Sequence, residues 1–270
     1  MKKPLFIFSL ALVVALAASP AWALFVNGGF EDGTTNGWSY RGGYFDDGQG
    51  NSMAGVNWSQ DGTGWGYPAG YWTDGIVSIV SGGTDPQTNN NLSLPLYGNH
   101  SVKVNDENGN AHVTQIWQAD TVTAGDLDLN DNKYHLRFAW ASVLMNPWGH
   151  PTGDQPFFNV DVTINGGNVY SVFHTGDEGG WTLGANWWGE DWYYKLENVD
   201  LDTLALGDLV EVRLTAADCS WWGHGGYAYL DGFGSTYIPP VDNPVPEPAT
   251  MLLLGGGLLG LGGLRRKLRK

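Results

Sequence analysis

Apolar and polar residues alternate with a period of two in a set of short runs. The alternation is cleanest over residues 134–143 (YHLRFAWASV) and 158–164 (FNVDVTI). It recurs over 101–104 (SVKV), 113–117 (VTQIW), 209–214 (LVEVRL) and 227–233 (YAYLDGF). Successive side chains of a strand point to opposite faces, so each run predicts a strand with one buried face. Asn165, Gly166, Gly167 and Asn168 supply the turn chemistry that joins 158–164 to a further strand over 169–174. Residues 75–80 predict a short strand and 81–91 a polar turn region. Residues 24–38 (LFVNGGFEDGTTNGW) read as a short apolar strand, a glycine turn, an acidic pair and an aromatic, whereas 40–75 are expected to be loops over one face. Helical periodicity is confined to one turn at 201–206. Many short strands between turn signals, with no fixed repeat, predict an all-β sandwich over residues 24–238.

The two ends carry other patterns. Met1, Lys2 and Lys3 precede an apolar run over 5–18 and the small-x-small triplet Ala21-Trp22-Ala23. Together they predict a secretory signal peptide over residues 1–23. At the other end a Pro-rich linker over 239–248 contains Val245, Pro246, Glu247 and Pro248. An uncharged run follows, and five of the last six residues are cations. Proline fixes φ and lacks an N–H, so the spacer is extended. The uncharged run over 251–264 is 14 residues, or about 21 Å as a helix at roughly 1.5 Å per residue. A bilayer core is about 30 Å thick, so a transmembrane helix over 249–264 needs snorkelling cations to span it. Those cations mark the cytoplasmic side.

Charge sharpens the picture. The chain has 28 Asp and Glu against 13 Lys and Arg. Two cations lie in the leader and five in the tail, which leaves six facing all 28 acids, a balance near −22 for the body. Such a surface repels nucleic acid and anionic lipid and suits Ca²⁺. Cys219 is the single cysteine, so no intramolecular disulfide forms and a core must supply the stability. About 215 residues are enough to bury one.

Catalytic patterns are absent: no GxSxG, HExxH or P-loop occurs. Asp177-Glu178 and Glu190-Asp191 read as solvated turns, Cys219 beside His224 as a small buried thiol, and the six His show no metal-ligand spacing. Residues 126–133 (DLDLNDNK) look like a calcium loop, but Asp131 stands where that loop needs Gly and Arg137 where it needs Glu; they read as a turn. Tryptophan is more informative. Thirteen of 14 lie in the body. Trp38, Trp117 and Trp140 occupy motif or strand positions and are expected in the core. Trp148, Trp187, Trp188, Trp192, Trp221 and Trp222 sit among Gly, Asn, Asp and His instead. A flat indole stacks on the C–H face of a sugar, so these six are glycan-binding candidates. The alternative is that they pack loops onto the sandwich.

The three-part tail, with its Pro-Glu-Pro spacer, apolar helix and basic stop, resembles the PEP-CTERM sorting signal, also called the ice-binding protein C-terminal motif. The resemblance covers residues 245–270 and implies export in a Gram-negative bacterium, transient residence in the inner membrane and processing by an exosortase. An ice-binding role finds no support, because no regular Thr array occurs. In the body, Asn27-Gly28-Gly29-Phe30-Glu31 with Gly37-Trp38, then Gly98-Asn99-His100-Ser101-Val102-Lys103-Val104, then Gly226-Tyr227-Ala228-Tyr229-Leu230-Asp231 are similar to the opening, middle and closing motifs of galactose-binding-like jelly rolls, the fold of many carbohydrate-binding modules. The resemblance implies a structural Ca²⁺ held by Glu31 and Asp231, with carbonyls near Asn27 and Asn99. Gly232 departs from the pattern, since many relatives carry a second aspartate there. The expectation is an exported, non-catalytic surface or matrix protein that binds exopolysaccharide or another glycan. A structural or adhesive protein without a ligand, and a glycoside hydrolase, are the alternatives.

Overall fold

The alternating runs become long antiparallel strands because each has a sheet neighbour on which to align. In the computed structural model, which describes residues 24–45, 52–59, 76–187 and 189–234, thirteen strands follow one another. They are β1 (Ser39–Phe45), β2 (Val56–Trp58), β3 (Val77–Val80), β4 (Ser101–Val104), β5 (His112–Thr121), β6 (Leu127–Asp128), β7 (Lys133–Asn146), β8 (Phe157–Ile164), β9 (Gly167–Thr175), β10 (Thr182–Trp187), β11 (Glu190–Leu204), β12 (Leu209–Ala217) and β13 (Gly226–Gly234). One sheet has the order β2-β1-β5-β12-β8-β9 and the other β10-β11-β7-β13-β4-β3, with β6 added to β7. All pairings are antiparallel. The chain changes sheet at β2–β3, β4–β5, β5–β6, β7–β8, β9–β10, β11–β12 and β12–β13, so this is the expected all-β jelly-roll sandwich. Signal peptide, linker, sorting tail, transmembrane helix and Trp188 lie outside the described residues. Among the described residues no helix is long and apolar enough to cross a membrane.

The core fills the space between the sheets, where Ile116, Val160, Val162, Val212 and Leu214 of the first sheet face Leu136, Phe138, Trp140, Ala228 and Leu230 of the second. Trp140 is fully buried, stacks at 4.7 Å on Phe158 and donates its indole N–H to the Tyr170 hydroxyl at 3.0 Å. The opposite faces of β7 and β13 are buried as well. Ala141, Val143, Met145, Tyr227 and Tyr229 pack with Leu92 and Leu94 of the β3–β4 connection, which covers that face. Asp85 secures this cover: its buried carboxylate accepts the Tyr227 and Tyr229 hydroxyls, both at 2.7 Å, and the amides of Gln87 and Thr88. Every residue of β13 is buried for this reason.

Four expectations change. Residues 24–38 form turns rather than an opening strand, although Leu24, Phe25, Phe30 and Trp38 are buried in the core. The described parts of 40–75 include β1 and β2, which two glycines in SYRGGYF concealed. In place of the helical turn expected at 201–206, residues 201–204 end β11, the longest strand, which pairs with β7 from Asp191 to Leu204. Trp117 leaves the core. It lies half-buried on the outer face of the first sheet, with the Arg213 guanidinium 5.1 Å and that of Arg41 5.9 Å from its ring.

Candidate functional site

Three loops converge at one end of the sandwich and, among the described residues, carry three of the six tryptophans singled out in the sequence, Trp148, Trp221 and Trp222. The β7–β8 loop begins with Pro147-Trp148-Gly149-His150-Pro151. Proline at both ends and a positive φ at Gly149 prevent the strand from continuing. Gln155, itself buried, holds this loop by donating to the carbonyls of His150 at 3.1 Å and Pro147 at 3.5 Å. The β12–β13 loop runs from Asp218 to Gly225. The fully buried Asp218 carboxylate accepts Asn105 Nδ2 at 2.9 Å and the amides of Asn110, His112 and Gly226 at 3.0–3.1 Å. Burial, with Asp106 nearby, pushes its carboxyl well above the usual range. Ser220 Oγ donates to Asp154 Oδ1 at 3.1 Å and ties the two loops together. The third element is the β10–β11 turn, which ends at Glu190. That carboxylate accepts the Trp148 amide at 3.4 Å and meets His224 Nε2 at 2.8 Å.

On this frame Trp148 stands 91% exposed and Trp221 51% exposed. A monomer gains nothing in stability from a large ring left in water, so exposure of this degree is the informative observation. Trp221 rests on the His150 ring at 5.2 Å, and His150 meets His224 edge-on at 4.6 Å. Contacts thus run from Trp148 through Glu190, His224 and His150 to Trp221. Trp222 takes the opposite side of its loop, with φ +66°, and packs partly buried against the cluster of Phe45, Val56 and Phe157. Trp192 is not a surface residue. It is 1% exposed, packs against Tyr227 at 5.7 Å beneath the β3–β4 cover and belongs to the core. The backbone of Trp187 closes β10, and its side chain, like Trp188, lies outside the described residues. Sequence reasoning missed Glu190 and His150 because their turns look like ordinary solvated loops. It also missed the Arg41–Trp58 stack at 3.7 Å, whose partners are distant in sequence.

Beneath Trp221, the Cys219 thiol is buried, contacts His224 Nδ1 at 3.1 Å and donates to the Trp222 carbonyl at 3.4 Å. Burial pushes the thiol up to about 12, so it is no nucleophile at neutral pH. Burial also lowers His224, with Glu190 opposing and His150 assisting that shift. The acidic turn at 128–132 is engaged by side chains: Arg137 Nη1 meets Asp128 Oδ2 at 2.7 Å, and His135 sits between Asp131 and Asp200 at 2.8 and 2.7 Å.

A second acidic junction lies where the three body motifs meet. Asp231 is fully buried; its Oδ2 accepts the Tyr97 amide at 2.8 Å and Ser101 Oγ at 2.6 Å, and Oδ1 accepts the Gly232 amide at 2.6 Å. Glu31 accepts the Asn99 amide at 2.9 Å and Asn99 Nδ2 at 2.9 Å. Gly98 beside it has a φ of +54°, which favours glycine, and its missing Cβ leaves room for the Glu31 carboxylate. Burial, with Glu31 adding repulsion, pushes Asp231 up to about 7. The charge of this pair suits a divalent cation, but Asp231 Oδ2 already accepts two donors and Oδ1 one, and each Glu31 oxygen accepts donors from the Asn99–His100 segment. The Asn27 carbonyl is engaged too, accepting from the Phe30 amide at 3.0 Å and the Trp38 indole at 3.3 Å. Gly232 cannot be a second aspartate here: its φ is +72°, and a Cβ would lie 2.5 Å from the Tyr97 ring.

Residues 244–267 match the PEP-CTERM protein-sorting motif. No curated protein matches the chain. Solved structures similar to it include TmCBM61 in complex with beta-1,4-galactotriose, at 13% identity over 78% of this chain and 96% of that one, with a TM-score of 0.38. Others are Caldicellulosiruptor saccharolyticus CBM27-1 in complex with mannohexaose (16%, 78% and 97%, TM-score 0.34) and the non-crystalline cellulose specific module CBM28 (15%, 78% and 94%, TM-score 0.34). At such scores the likeness carries no information on what this chain binds.

Proposed function

We propose that this is an exported surface or matrix protein whose loop end binds a glycan, with Trp148 and Trp221 as stacking rings. The observation that carries the proposal is the exposure of Trp148 and Trp221 on loops that are otherwise tightly fixed. A rigid ring loses little entropy on binding, and Glu190 and Asp154 stand beside the rings to accept sugar hydroxyls. The body is acidic, with six cations against 26 acids over residues 24–238. That balance favours neutral polysaccharide over polyanions. Export rests on the leader pattern and the sorting motif, and processing of the tail falls to an exosortase. A structural Ca²⁺ is part of the proposal: Glu31 and Asp231 would hold it, and it would supply the charge that their repulsion lacks.

The test replaces Trp148 or Trp221 with Ala and follows both melting and retention on a glycan array or affinity gel, with and without calcium. Each stacking contact is worth on the order of 1 kcal/mol, so retention should fall several-fold while the melting temperature holds. Lost stability with unchanged affinity of the folded fraction would assign these rings to loop packing. Failure of the unmodified protein to retain any glycan would favour a purely structural or adhesive role.

A further inference from the structure

The loop end holds a second constellation, which shares only Glu190 with the proposed glycan site. Cys219 Sγ and one ring nitrogen each of His150 and His224 lie within 4.8 Å of one another. Two ligand atoms on one tetrahedral zinc-class ion are about 3.5 Å apart, given M–S near 2.3 Å and M–N near 2.0 Å. The Sγ–Nδ1 separation of 3.1 Å between Cys219 and His224 is already close to that. Glu190 supplies the outer support such a centre needs. Its carboxylate accepts the Nε2–H of a neutral His224 at 2.8 Å, an arrangement that leaves Nδ1 as a lone pair facing the thiol. His150 presents an enclosed Nδ1 that makes no hydrogen bond among the described residues. An enclosed polar nitrogen without a partner is costly, and a cation would satisfy it. The ligands are also preorganised: Gln155 fixes the His150 carbonyl, Asp218, which precedes Cys219, is held by the Gly226 amide, and Ser220 is tied to Asp154.

We propose that Cys219, His150 and His224 form a binding site for one thiophilic first-row transition cation of the zinc class, with Glu190 orienting His224. One sulfur and two imidazoles suit zinc or copper and exclude Ca²⁺ and Mg²⁺, which take oxygen ligands. Three protein ligands leave a fourth position for water. As the S–metal bond forms, the S–H bond breaks and its proton leaves to solvent, while both imidazoles bind as neutral bases. The site is separate from the Glu31–Asp231 junction, whose donors are all oxygen.

The test titrates the full chain, stripped with chelator, with Co²⁺ as a spectroscopic probe and then with Zn²⁺. Saturation at one ion per chain is expected, with a thiolate-to-cobalt charge-transfer band and the visible bands of a tetrahedral site, all displaced by Zn²⁺. A parallel Cu²⁺ arm identifies the preferred ion by competition. Cys219→Ser should abolish the charge-transfer band. Glu190→Gln should weaken binding by about 10–100-fold while leaving the band in place at saturation. Near-ultraviolet circular dichroism reports whether each variant is folded. No saturable cobalt spectrum from the folded unmodified chain would overturn the proposal, as would an unchanged spectrum from folded Cys219→Ser.

Discussion

At the scale of single residues, Asp231 makes a sharp statement. Its carboxyl is held at about 7 in the folded protein by burial first and by Glu31 last among its influences, whereas an unfolded aspartate loses its proton near 4. Between those values the folded state binds more protons than the unfolded one, so stability declines as pH rises through about 4 to 7 and levels off beyond. The limiting slope is roughly 1.4 kcal/mol per pH unit. Urea melts of the unmodified protein and of Asp231→Asn should differ in this window, the variant being flatter. Bound calcium would change the result in a recognisable way. Chelator would then lower the melting temperature of the unmodified protein, by the equivalent of about 2.7 kcal/mol at hundredfold excess over Kd, and leave Glu31→Gln and Asp231→Asn unaffected. A melting temperature indifferent to chelator in the unmodified protein would rule that cation out.

At the scale of elements, β11 decides how the tryptophans divide. Its register against β7 sets Trp192 opposite Met145 on the face covered by the β3–β4 connection. Asn89 Nδ2 reaches from that connection to the Gly184 carbonyl at 2.6 Å and holds the cover down over β10. Truncating Trp192 to Ala leaves a cavity under the cover and should cost about 3–5 kcal/mol. The folded fraction should still retain whatever ligand Trp148 and Trp221 bind. Chemical denaturation read beside ligand retention checks both halves, and a Trp192→Ala protein of normal stability would contradict the packing described here.

At the scale of the whole molecule, the tail is the part whose fate differs from that of the sandwich. A Pro-Glu-Pro spacer before an apolar run of 14 residues, which would span about 21 Å as a helix, favours removal over permanent anchoring, because that length matches a bilayer core of about 30 Å poorly. Mass spectrometry of native surface protein should show loss of the segment after the region of Pro246 and Pro248. Recovery of the mature protein with Lys270 intact would sink that reading. Over residues 24–238 the chain is strongly acidic. Its interactions with charged partners should weaken or strengthen with salt according to the partner's sign.

The sequence by itself determined what depends on neighbours along the chain. Period-two alternation identified β4, β5, β7, β8, β12 and β13, since each strand buries one face whatever its partner. The sorting tail was legible because its three parts are contiguous. The closing motif held up for the same reason, and the Glu31, Asn99 and Asp231 segments do meet. Alternation failed at β1, where two glycines interrupt it, and at β11, whose pattern of burial is set by a cover from elsewhere. Only the tertiary structure decided which tryptophans face water. Trp192 and Trp148 lie in similar polar, glycine-rich surroundings, yet one is beneath the β3–β4 connection and the other at a loop tip. The same is true of His150, Cys219 and His224. No spacing joins residues 150 and 224, and their side chains meet because β7 and β13 are sheet neighbours that bring their loops to one end of the sandwich.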